Sequence, residues 1–149
     1  MIMDILIKLR EIPGMKKVVY RILKARSLEI PVSVKIGKNV SFPHNAIGTV
    51  ISGFTVLEDN VSIYQNVTLG RADVYVNSSQ SKAKGILIKE GAVICAGAKV
   101  LCKEGTLVVG KNTVIAANAV LLNSTGENEI WGGIPARKIG VRQDLINTY

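Results

Sequence analysis

The chain carries one histidine, His44, in the stretch "SFPHNAIGTVISG" (Ser41 to Gly53), and two cysteines, Cys95 and Cys102. These are the side chains whose types suit chemistry near neutral pH. An imidazole is largely neutral there and accepts a proton from a hydroxyl as that hydroxyl attacks a carbonyl. The oxyanion so formed needs N–H donors, which backbone amides at tight turns supply. Cys95 offers a second route, a covalent acyl-enzyme. It stands at a turn position that its neighbours fill with glycine or alanine, so small-residue packing is the expectation. One histidine and two cysteines make neither a disulfide framework nor a metal-ligand set, and no metal is expected.

What positions His44 is a repeat of six. From Ile51 the chain reads ISGFTV, LEDNVS, IYQNVT, LGRADV; from Ile88 it reads IKEGAV, ICAGAK; from Val109 it reads VGKNTV, IAANAV; upstream, IGKNVS begins at Ile36. The first position is a large aliphatic and the fifth is small or β-branched. This period is neither that of a helix nor a plain strand alternation. It suits a short strand and a tight turn, with Gly, Asn and Asp where positive φ is cheap. Such a chain coils into a parallel β-helix that buries a column of aliphatics. A sandwich of short strands is the alternative, and it would show alternation, longer strands and more aromatics.

The repeat breaks in three places. Phe42 to Ile51 spans nine residues rather than six, and His44 lies inside that break. Between Leu69 and Ile88 the polar stretch "GRADVYVNSSQSKAKG" (Gly70 to Gly85) reads as an external loop. Val100 to Val109 again spans nine, around "LCKEG", and a bulge in a repetitive scaffold often marks a site. Ahead of the repeat, apolar positions at Ile5, Leu6, Leu9, Ile12 and at Val18, Val19, Ile22, Leu23 predict two short helices divided by Pro13-Gly14. The expected organisation is a helical cap over 1–29, a β-helix over 30–140 with the loop at 70–85, and a tail over 141–149; the segment after Pro135 is expected to form a loop and a short helix.

Bulk properties narrow the classes. The 149 residues are 48% hydrophobic but 5% aromatic, so the core is aliphatic; 20% are charged. No apolar run reaches the roughly 20 residues of a membrane span. Asp4 and Arg10 interrupt the N-terminal apolar stretch and make it a poor signal peptide, so the cytoplasm is the expected compartment. The net charge is +8, with seven Lys and Arg against two acids in the first 26 residues. Few aromatics are available to stack bases, which argues against nucleic acid and leaves a phosphate-bearing ligand or weak peripheral membrane contact through the basic N-terminal helices.

"VSIYQNVTLG" (Val61 to Gly70), "ICAGAKVL" (Ile94 to Leu101) and "WGGIPARKIG" (Trp131 to Gly140), in this order behind a histidine, resemble the left-handed β-helix acyltransferases, in the branch of serine acetyltransferases and capsular-polysaccharide O-acetyltransferases. The resemblance covers about residues 34 to 140. It implies an all-β, left-handed parallel β-helix, a homotrimer, acetyl-CoA as acyl donor, His44 as general base and direct transfer rather than a covalent acyl-enzyme on Cys95. It places Ala96, Gly97 and Ala117 along the pantetheine arm, Gly70 and Arg71 near the thioester, and Lys99, Arg137 and Lys138 with the CoA phosphates. Asp59 and Glu58 are candidates by type for orienting His44.

Two departures bear on the acceptor. Serine acetyltransferases commonly carry an Asp before the catalytic histidine, where this chain has Pro43. They carry a second active-site histidine after the external loop, where this chain reads "QSKAKGILI". The expectation is therefore acetylation of a sugar or polysaccharide-precursor hydroxyl. Serine O-acetylation is the enzymatic alternative, and a structural β-helix module that assembles proteins or docks on a membrane is the non-enzymatic one. A zinc enzyme on this kind of coil would need three histidines, and a nucleotidyltransferase would need a further domain.

Overall fold

The computed structural model describes residues 2–145, and it shows a prism of three parallel sheets wound as a β-helix. Two helices precede it, α1 (Ile2–Leu9) and α2 (Lys16–Ala25), on either side of Pro13-Gly14. The first coil contains β1 (Lys35–Ile36), a bridge at Ser41, and β2 (Val50–Ile51). The second contains β3 (Thr55–Leu57), β4 (Ser62–Ile63) and β5 (Thr68–Arg71). The third contains β6 (Ala83–Ile88), β7 (Val93–Ile94) and β8 (Lys99–Cys102). The fourth contains β9 (Gly105–Val109), β10 (Val114–Ile115) and β11 (Val120–Leu121), and a terminal hairpin follows in β12 (Glu129–Gly133) and β13 (Ala136–Val141). The sheets run β1-β3-β6-β9, β4-β7-β10-β12-β13 and β2-β5-β8-β11, parallel throughout except for the closing β12–β13 pair.

The hexad explains the interior. Of its first residues, Ile51, Leu57, Ile63, Leu69, Ile94 and Ile115 are each at most 1% exposed. Strand register stacks them coil on coil, Ile63 on Ile94 on Ile115. Each such burial is worth about 2 kcal/mol. The fifth residues, such as Val61, Val67, Ala92, Ala98 and Ala119, fill the corners of the prism and are buried as well. Between them the chain turns on Asn or Gly at positive φ. Asn60, Asn66, Asn112 and Asn118 lie between 56° and 60°, with Gly91 at 69° and Gly97 at 73°.

Helices α1 and α2 close the first end of this column. Met3, Leu6, Val19 and Leu23 join Leu28, Ile30 and Val34 in the same core. Arg10, almost fully buried, donates to the Ile30, Pro31 and Val34 carbonyls at 3.0, 3.1 and 3.2 Å. It satisfies the open carbonyls of the first turn that no coil covers.

Three expectations change. The segment after Pro135 is not a loop and helix. Through Val141 it is strand β13, paired antiparallel with β12, and only a single 3₁₀ turn follows at Gln143–Leu145. Ala136 is buried on it, which gives the return strand a core contact; residues 146–149 of the expected tail lie outside the described residues. The external loop is shorter than 70–85, since β5 runs through Arg71 and β6 begins at Ala83. The extra residues around "LCKEG" form no outward bulge. They lengthen β8 so that Leu101 and Cys102 pair with Gly70 and Arg71, and the chain turns at 103–104.

Candidate active site

His44 occupies the corner between the second and third sheets, in the first coil. Phe42 and Ala46 both enter the core, at 6% and 0% exposure, only four positions apart. The chain must leave and re-enter between them, and the turn Pro43–Ala46 does so through three successive left-handed residues. His44, Asn45 and Ala46 have φ of 54°, 55° and 44°. The His44 side chain is thereby thrown outward and exposed. Buried Thr49 ties the corner to the next coil, its hydroxyl donating to the Tyr64 carbonyl at 2.9 Å and accepting from the Val67 amide at 3.1 Å. The Tyr64 ring lies 6.2 Å from the His44 ring, tilted by 49°.

The residues beneath His44 on this corner are, Tyr64 apart, small or amide-bearing. Successive coils place there Tyr64-Gln65-Asn66, then Cys95-Ala96-Gly97, then Ala116-Ala117-Asn118. The Gly97 amide donates to the Gln65 carbonyl at 3.0 Å, and the Asn118 amide to the Ala96 carbonyl at 2.9 Å. Coils repeat at about 4.8 Å. An edge of exposed backbone therefore runs from His44 past Ala96 and Gly97 to Ala117, roughly 15 Å below. A side chain at Gly97 would be strained, because its backbone sits at φ 73° and a Cβ would lie 2.0 Å from the Asn118 Oδ1, which would have to move. The edge ends at the hairpin. Gly132 sits below Ala116 and pairs with Arg137, and Trp131 pairs with Lys138.

The other basic residues are placed differently. The Lys99 Nζ reaches back to this edge and donates to the Gly97 and Asn66 carbonyls. Exposed Arg137 donates to its own chain at the Ala136 carbonyl. Lys138 pairs with Glu129 at 2.8 Å. Gly70 and Arg71 belong to the opposite end of the third sheet, at the corner where the external loop departs. The Arg71 guanidinium ties that loop down by donating to Asp73 Oδ1, to Ser78 Oγ and to the Asp73 and Val76 carbonyls. Asp73 in turn accepts from Ser81 Oγ at 2.8 Å.

Neither carboxylate named for orienting His44 reaches it. Asp59 Oδ1 accepts from the Lys38 amide at 2.7 Å, and Glu58 Oε2 from the Glu90 amide at 2.9 Å. Both serve as ties between coils at the corner between the first and second sheets. Burial pushes the Cys95 thiol up from its ordinary value, which disfavours the thiolate a covalent route needs. Among the described residues no group of three His, Cys, Asp or Glu side chains is placed to hold a metal ion.

Two residues of this region carry no signal in the hexads. Asp4, from α1, lines the same cavity as His44, about 400 Å³, together with Ser41 and Asn45. It stands 40 positions upstream, and no local pattern links the two. Gln65 Oε1 is buried without a hydrogen-bond partner among the described residues. A buried acceptor left open costs about 1–3 kcal/mol. Its position next to Asn66, on the turn below His44, was the available hint.

The class defined by this architecture is the hexapeptide-repeat β-helix. No family model matches the chain. Its sequence is similar to a serine acetyltransferase of Haemophilus influenzae, 39% identical over 113 residues that cover 76% of this chain and 39% of that protein. It is also similar to one of Escherichia coli, 35% identical over 113 residues. Among solved structures, serine acetyltransferase of Vibrio cholerae superposes with a TM-score of 0.72 at 33% identity, over 85% of this chain and 46% of that one. The Brucella abortus enzyme in complex with coenzyme A superposes with a TM-score of 0.71 at 34% identity, over 86% and 49%. The chain thus spans less than half the length of these relatives. They favour the serine alternative over the sugar acceptor expected from sequence, and the capsular-polysaccharide branch gains no support from them.

Proposed function

We propose that this chain is an acetyl-CoA-dependent O-acetyltransferase with His44 as general base and the hydroxyl of serine, or of a close amino-acid analogue, as acceptor. The observation that carries the proposal is an exposed histidine at the head of an edge of small residues, in a chain similar to serine acetyltransferases. Acetyl-CoA supplies an acetyl thioester when bound. His44 removes the acceptor's hydroxyl proton as that oxygen attacks the thioester carbonyl. The open Gln65 Oε1 suits an N–H donor, of which a pantetheine arm has two and an amino-acid acceptor one group. Ala96, Gly97 and Ala117 leave room for the arm along the edge. Lys99, Arg137 and Lys138 supply positive charge toward the hairpin end, with phosphates as their partners. Gly70 and Arg71 hold the base of the external loop. The proposal includes a left-handed coil and a homotrimer.

Asp4 lines the His44 cavity, where an ammonium group on the acceptor would compete for its carboxyl with the hydrogen bond that already holds it below the ordinary carboxylate value. A sugar hydroxyl is the second reading. It rests on Pro43 beside His44 and on the lack of histidine in "QSKAKGILI".

The test is CoA release from acetyl-CoA by wild type and His44→Ala, with serine, a sugar panel and a serine analogue lacking the amino group. Turnover on serine that is lost in the variant is expected. Turnover confined to sugars overturns the acceptor. No turnover, with no thermal stabilisation by CoA, overturns the enzyme reading in favour of a structural module.

A further inference from the structure

The outer side of the helical cap leaves large aliphatic side chains exposed among the described residues. Helix α1 gives Met3 and Leu6 to the core, yet Ile5 remains 56% exposed, and Ile12 just beyond the helix is 48% exposed. Helix α2 gives Val19 and Leu23 to the core, while Val18 and Ile22, one turn apart, stay 47% and 40% exposed. Beside these aliphatic tips stand exposed Lys8, Lys16, Lys17 and Arg21. Between the helix junction and the first coil lies a hollow of about 480 Å³, whose lining includes Ile12, Pro13 and Val32 with Lys16, Lys17 and one acid, Glu11. Aliphatic ends thus alternate with long cationic side chains at one end of the molecule.

We propose that this face of the cap seats on an anionic membrane surface. Its side chains fit that occupant in two ways. Isoleucine and valine tips enter the boundary between headgroups and acyl chains, and Lys and Arg stems lie along the apolar surface with their charges at lipid phosphates. A second copy of the same face would bring Lys against Lys, which repels. A protein partner is usually gripped by aromatic anchors, and the one aromatic ring of these helices, Tyr20, is half-buried and directed to Glu29 Oε1 at 3.4 Å. No described helix is long and apolar enough to cross a membrane, so the contact is peripheral. The cavity of His44 is lined by Met3 and Asp4 of the same α1. This inference does not depend on the reaction assigned to His44.

The experiment is sedimentation of the full chain with phosphatidylcholine vesicles, with and without phosphatidylglycerol. Lys16→Glu/Lys17→Glu/Arg21→Glu and Ile5→Ser/Ile22→Ser are run alongside, with circular dichroism to establish that they are folded. Binding to the anionic vesicles alone is expected, falling with added salt. Each reversed basic residue should lower partition by at least about fivefold. The serine variant should bind weakly at every lipid concentration. Failure of the folded wild type to sediment with anionic vesicles overturns the proposal. So does equal binding by the charge-reversed variant, or a fall in oligomer mass for the serine variant, which would make this face a contact between copies.

Discussion

Replacing His44 by glycine separates a catalytic role from a structural one. His44 is held at φ 54° and ψ 28°, where a side chain costs roughly 1–2 kcal/mol. Glycine removes that cost but adds about 0.5–1 kcal/mol of unfolded-chain entropy. Loss of the tilted ring contact with Tyr64, at 6.2 Å, withdraws about 0.5 kcal/mol. The net change lies within about 1 kcal/mol of zero, or about 4 °C in Tm for a chain of this size. If His44 takes the hydroxyl proton, turnover falls by about 10² to 10⁴ in the same variant. His44→Ala, which keeps a Cβ in the left-handed region, should lose as much turnover and be no more stable than His44→Gly. The assays are steady-state CoA release and thermal melts on the same preparations. A variant that melts far below wild type yet turns over normally refutes the reasoning, since His44 would then be part of the corner rather than of the chemistry.

Gly97→Ala should cost about 2–4 kcal/mol, through the left-handed backbone and the collision with Asn118 Oδ1. Asn118→Gly in the same chain should restore part of that, and additive melts would contradict the collision. Gln65→Leu fills the place of the open Oε1 with an apolar group, so stability should be unchanged or raised while KM for acetyl-CoA or acceptor rises several-fold; a kinetically normal variant removes Gln65 from the site. Cys95→Ala should leave turnover nearly intact, and an inactive but folded protein would restore the covalent route. Hydrogen bonds from Lys138 and Trp131 hold the Glu129 carboxyl below its ordinary 4.5. Glu129 therefore contributes stability that is complete above that value and is lost as pH falls through the lower folded one. Hydrogen exchange of residues 129–141 should accelerate on acidification in wild type, and Glu129→Gln should remove that acid dependence.

The coil was legible because its period is physical. A hexad must turn every six residues, so large aliphatics at one position and Asn or Gly at another follow from the geometry. The break at His44 was legible for the same reason, as three residues more than a coil side holds. The equal break at 100–109 shows the limit of that signal. Extra residues can leave the prism, as Pro43, His44 and Asn45 do between buried Phe42 and Ala46. They can also lengthen two neighbouring strands, as at Leu101 and Cys102 against Gly70 and Arg71. Which occurs depends on the coil above and below, and spacing along one strand does not contain it. The C-terminal strand was missed on the same ground. Its pairing with β12 is antiparallel, and nothing in the hexads encodes a reversal.

The acceptor question turns on residues outside the repeat. Pro43 removes the neighbouring carboxylate that serine acetyltransferases commonly carry, and read along the chain this pointed to a sugar. Across space the site is not without a carboxylate, because α1 brings Asp4 to the same cavity. If Asp4 holds an ammonium group there, Asp4→Asn should raise KM for serine about tenfold or more, since a charge-assisted bond is worth about 1.5–3 kcal/mol. The deaminated analogue should be acetylated equally well by both forms. An equal loss on both acceptors would mean that Asp4 supports the cap rather than the substrate. An unchanged KM for serine would leave a neutral hydroxyl as the better acceptor. The helical cap, which serves the fold by closing the coil, would then have no part in choosing the substrate.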